Sequence, residues 1–116
     1  MLAAIPLLML AAVGWAAEGK NPSFSTDILP IFSDRCVRCH GPDKAKEGLR
    51  LDTLAAVLKG SERGPVVTSG KPETSTLLKL VSLPAEDGDR MPPKGDRLSA
   101  DQLARLRQWI AAGLPE

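Results

Sequence analysis

The chain has 116 residues, with 15 basic and 14 acidic side chains and a formal net charge of +1. That balance argues against a nucleic-acid partner, which calls for a basic surface, and the length suits one small domain. Aromatic residues make up only 3 %, against 10 glycines and 10 prolines, so the chain has limited means of building a large core alone.

Residues 2–14 are almost wholly apolar, broken only by Pro6. Gly14, Ala16 and Ala17 follow, and Glu18 is the first charge. A short apolar run ending in small residues reads as a signal peptide, with cleavage after Ala16 or Ala17. No Lys or Arg precedes the run, which departs from the usual pattern. An uncleaved anchor is the competing reading, but spanning a bilayer takes about 20 apolar residues. We therefore read residues 1–17 as signal and 18–116 as an exported domain, periplasmic or otherwise extracytoplasmic. Trp15 leaves with the signal, so Phe24, Phe32 and Trp109 remain.

A first helix is expected to start near Ser25, Thr26 or Asp27, with Pro30 tolerated in its first turn. Ile28, Leu29, Ile31 and Phe32 give its apolar face. Gly41 and Pro42 are its stop signal, placing its end around Cys39–His40. Within that stretch Cys36-Val37-Arg38-Cys39-His40 spells C-x-x-C-H, the attachment pattern of c-type haem. Two thiols one turn apart can each add to a porphyrin vinyl group, and the adjacent imidazole then lies under the iron. The chain holds no other Cys and no other His. A structural zinc site needs four protein ligands, usually Cys and His, and only three are present. A thioredoxin-like C-x-x-C is expected near a strand-helix pattern, which is missing before Cys36.

After the motif, residues 41–48 read as a polar loop. A short helix is expected from Thr53 to Lys59, closed by Gly60. A glycine-rich loop follows, in which Val66-Val67-Thr68 is too short to seed a sheet. A helix is expected from Pro72 to Leu83, then a loop from Pro84 to Leu98. The last helix has the clearest signals. Ser99 and Gln102 form a capping box, and Gly113 is the stop. Leu103, Leu106, Trp109 and Ile110 share one helical face. Trp109 is expected to pack on the first helix, its alternative being a place at the haem edge. The pattern is all-α.

A c-type haem with His40 on one face commonly takes a Met on the other. Met1 and Met9 lie in the signal, so Met91 is the one thioether of the mature chain. Pro92 and Pro93 stiffen the chain behind it and drive Met91 toward extended backbone. Filling a core gap is the competing role for Met91, and Lys94 is the reserve ligand. Arg38, Arg50, Lys71 and Arg90 are candidates for the haem propionates, although each taken alone reads as a solvated charge. Glu47 and Asp52 show no pairing that suggests acid-base catalysis.

The stretches DILPIFSDRCVRCHGPDKAKEGLRLDT, GPVVTSGKPETSTLLKLV and RMPPKGDRLSADQLARLRQWIAAG resemble the planctomycete-type cytochrome c domain, within the monohaem c-type cytochromes. That resemblance implies a cytochrome c fold with packed N- and C-terminal helices, short middle helices and long loops. It implies one haem c held by thioethers at Cys36 and Cys39, with His40 and Met91 on the iron. In that family the domain often begins a larger protein, so a monomer and a part of a multidomain protein both fit. The expected function is single-electron transfer between a redox donor and an acceptor protein, without enzymatic activity of its own. A haem-based sensor in which Met91 is displaced by a small ligand is the alternative. A thiol oxidoreductase without haem is a third reading.

Overall fold

The computed structural model describes residues 21–116. The expected signal, residues 1–17, lies outside the described residues. Among the described residues the structure is helical, with two isolated β-bridges, His40–Ala45 and Ser61–Gly64, and no strand.

The first element starts two residues before the earliest expected cap. Ser23 Oγ accepts from Thr26 N at 3.3 Å, and the Asp27 carboxylate accepts from Ser23 N at 2.9 Å. This reciprocal cap satisfies amides that the first turn leaves unpaired. The turn Phe24–Ile28 is wide, of π type, and runs into α1, Leu29–Arg35. Pro30 explains the widening: it has no N–H to donate, and its ring would press on the carbonyl four residues back in a regular helix.

Helix α1 ends at Arg35, short of the expected Cys39–His40. At Cys36 the backbone leaves helical geometry, with φ −127°. Phe32 O accepts from both Cys36 N and Val37 N, closing the helix. The C-x-x-C-H motif therefore lies on a separate turn after the helix.

Helix α2, Leu54–Lys59, is capped by Thr53 and closed by Gly60 at φ +83°, as its sequence indicates. The single helix expected from Pro72 to Leu83 is broken in two. A 3-10 turn, Pro72–Thr74, precedes α3, Thr76–Val81, with Ser75 extended between them. The break has a local cause. Ser75 is 1 % exposed; its Oγ donates to Lys71 O at 3.0 Å and accepts from Thr68 N at 2.9 Å. A serine hydroxyl used this way competes with helix continuation.

Helix α4, Ala100–Ala111, has both hydrogen bonds of the Ser99–Gln102 capping box. It ends in a Schellman turn: Gly113 N bonds Ile110 O, and Leu114 N bonds Trp109 O. Gly113 takes φ +98°, which glycine adopts without strain. Leu106, Trp109 and Ile110 are fully buried on its inner face.

Trp109 organises the core where the chain's two ends meet. Its ring lies 5.9 Å from Phe24 and 6.4 Å, edge-on, from Phe32. Its indole N–H donates to Pro115 O at 2.9 Å, and Phe24 N donates to the same carbonyl. Helix α4 thus packs on the Phe24–Ile28 turn at the head of α1. Trp109 serves as core and does not reach the cavity described next.

Candidate functional site

The turn after α1 holds the motif in one conformation. Cys36 O accepts from both Cys39 N and His40 N. Cys39 O accepts from Lys46 N, and His40 O from Leu51 N. These bonds tie the turn to the polar loop that follows. Gly41 has no room for a side chain, because a Cβ there would overlap the Val37 carbonyl oxygen and sit 2.6 Å from Val37 Cγ1.

Both thiols are free and half-buried. Burial pushes the Cys36 thiol up to about 11, Arg35 pulling it down and Cys39 adding to the rise. A redox-active C-x-x-C works through a depressed thiol pKa, and burial shifts Cys36 the other way.

His40 Nδ1 lies 3.3 Å from Leu49 O. A carbonyl only accepts, so Nδ1 carries the proton and donates. In the neutral ring Nε2 then keeps its lone pair for a metal, the usual way a backbone carbonyl sets the tautomer and aim of a ligating imidazole.

Cys36, His40 and Met91 line one cavity of about 640 Å³. Phe32, Leu49, Leu51, Val66 and Leu77 give it apolar walls. Its size falls in the range of cofactor sites. The donor set fits a haem iron: an oriented imidazole and a thioether are a recognised axial pair, with a thiol at the edge for attachment. Cys39 does not line the cavity; it follows Cys36 on the same turn. Among the described residues no three His, Cys, Asp or Glu side chains gather to hold a metal ion.

Met91 reaches this cavity from the loop between α3 and α4. Its amide donates to Leu80 O at 3.0 Å, hanging the residue from α3. Its side chain is half-buried and also packs on the core cluster. Lys94 is exposed and does not line the cavity. Three arginines brace the loop through main-chain carbonyls: Arg35 to Asp96 O, Arg90 to Gly95 O and Arg97 to Ser82 O, at 3.0–3.1 Å.

Arg38, Arg50, Lys71 and Arg90, the candidates for the haem propionates, do not line the cavity. Arg38 and Lys71 are exposed, and Arg90 is engaged with Gly95 O. Arg50 pairs with Asp52 at 2.7 Å and holds that carboxyl below its usual range by hydrogen bonding and charge. The cavity is instead lined by Arg63, with Glu47 3.5 Å from it. Sequence reasoning passed over Arg63. Its place is set by the folded turn, where Ser61 Oγ accepts from Arg63 N and donates to Gly64 O.

The family model of planctomycete cytochrome c matches residues 36–95, just over half of the chain. The match opens on Cys36 and runs past Met91. Neither the curated proteins nor the solved structures provide a match to the chain. The chain belongs to the planctomycete cytochrome c family, and its helical architecture is that of a cytochrome c domain. Membership carries haem-based electron transfer as the general role, and domains of this kind are usually extracytoplasmic.

Proposed function

We propose that this member of the planctomycete cytochrome c family is an exported monohaem cytochrome that passes single electrons between a donor and an acceptor protein. Cys36 and Cys39 carry the haem as thioethers. His40 and Met91 take the two axial positions. The observation that supports this most strongly is the meeting of Cys36, His40 and Met91 in one apolar cavity, with His40 Nδ1 already committed to Leu49 O.

The chain's own residues divide the work. The turn at 36–40 supplies attachment and the proximal imidazole. The Leu49 carbonyl fixes the ring's aim and makes the nitrogen facing the iron more basic. Phe32, Leu51 and Leu77 exclude water, favouring the less charged reduced state. The Met91 thioether raises the potential further. A haem held by these residues would supply one-electron chemistry.

Export is supported by the apolar residues 2–14 and by the usually extracytoplasmic place of such domains. Among the described residues no helix is long and apolar enough to cross a membrane.

The test is a visible spectrum of the protein exported with its signal in a host competent for haem c attachment. Electron transfer predicts sharp low-spin α and β bands on reduction, unmoved by carbon monoxide. A high-spin spectrum that responds to carbon monoxide would point instead to a sensor. A protein with no Soret band would leave the thiol reading.

A further inference from the structure

We propose that Arg35 and Arg97 are positioning residues that clamp the Met91 loop shut over the cavity, an inference that rests on Met91 as an iron ligand. Between α3 and α4 the chain has no helix or strand to hold it. Its main-chain anchorage near the methionine is the Met91 N–Leu80 O bond. Turns within the loop add Asp87 N to Pro84 O, Arg90 N to Asp87 O and Asp89 N to the Asp87 carboxylate, and the ties that span it come from guanidinium groups. Arg97 closes the loop's base by donating to Ser82 O at 3.1 Å, just past α3. Arg90 crosses its neck to Gly95 O at 3.1 Å, bracketing Met91. Arg35 reaches in from the residue before Cys36 and donates to Asp96 O at 3.0 Å.

The Arg35 bond joins the two halves of the site. One end is covalently adjacent to a haem-attachment residue, and the other lies on the loop that brings Met91. All three acceptors are main-chain carbonyls, which do not titrate. Arginine keeps its charge throughout the accessible pH range and presents its donors in a fixed fork. The three bonds themselves are exposed, made by Arg35 Nη1, Arg90 Nη2 and Arg97 Nη2, while Arg90 Nη1 and Arg97 Nε are buried without a hydrogen-bond partner of their own. Bonds of this kind, with a charged donor, are the stronger ones in proteins. Their loss acts on local loop opening before global unfolding.

The test is cyanide binding to the ferric holoprotein, which requires Met91 to leave the iron. Arg35→Gln and Arg97→Gln are each expected to speed cyanide association by about tenfold, the effect of one charge-assisted hydrogen bond. The resting protein should keep its low-spin spectrum and its sulfur-to-iron band. Arg35→Lys and Arg97→Lys, each with a charged donor but no fork, should fall between. Arg50→Gln, whose partner is Asp52, should match the wild type. Rates within about twofold of wild type in both glutamine variants, with the sulfur-to-iron band present, would overturn the clamp while leaving the ligation intact. A wild type lacking that band would overturn the ligation, and the clamp with it. Should a glutamine variant fail to accumulate, the other variant and the lysine pair carry the test. Wild-type rates in both lysine variants would then count against the clamp.

Discussion

Replacing Ser75 with Ala tests whether one buried hydroxyl sets the geometry of the cavity wall. Ser75 is 1 % exposed, and its Oγ holds two backbone groups, Thr68 N and Lys71 O. Lys71 O keeps a partner in the variant, because Thr74 N also donates to it. Thr68 N–H loses its acceptor. A part-buried donor left unpaired costs about 1–3 kcal/mol, and alanine's helix propensity returns nothing at this extended position. The expected loss is about 2 kcal/mol, which in a domain of about 100 residues lowers the thermal midpoint by roughly 8–16 °C. Far-UV dichroism on heating the holoprotein reads this directly. Thr74→Ala is the control, since it removes only an exposed 3.4 Å bond to the same carbonyl. A Ser75→Ala midpoint within about 3 °C of the Thr74→Ala value would refute the reasoning, leaving the break between the 3-10 turn and α3 without its cause.

Gly41→Ala should distort the turn at Val37 and cut the yield of haem-loaded protein, judged by Soret absorbance per chain; a normal yield would show that the turn relaxes at little cost. Ser99→Ala should lower stability by about 1 kcal/mol through loss of the capping box, measured by denaturant unfolding, while Gln102→Ala should lose only the return half. Replacing both Cys36 and Cys39 by Ala should leave a chain without native-like near-UV dichroism, because the apolar cavity walls then have nothing to pack against. A rigid aromatic signal in that variant would show that the Trp109 cluster folds the chain unaided.

The legible parts of the fold were those written in short-range chemistry. The capping box at Ser99, the Thr53 cap with its Gly60 stop, and the apolar face carrying Trp109 all depend on residues within a few positions of one another. The C-x-x-C-H motif is local in the same sense. Where the sequence misled, a distant or competing partner decided. Ser75 breaks a plausible helix because Thr68 N needs its hydroxyl, a demand visible only once the chain folds back. Helix α1 ends early because Phe32 O takes two amides at once and Cys36 O starts a new turn. Ser23 caps the first turn although three good cap candidates follow it in the sequence. Met91 could be found by elimination, but its arginine braces could not, since Arg35 and Asp96 meet only in three dimensions. Arg63 was hidden for the same reason, its place in the cavity wall depending on how the turn between Gly60 and Gly64 folds.

The most direct test of His40/Met91 ligation is the ferric visible spectrum of Met91→Ala beside that of the wild type. With Met91 on the iron, the wild type is low-spin with a weak sulfur-to-iron band near the red end, and the variant loses that band and turns high-spin. A variant spectrum identical to the wild type would contradict the account and leave Met91 as a core side chain.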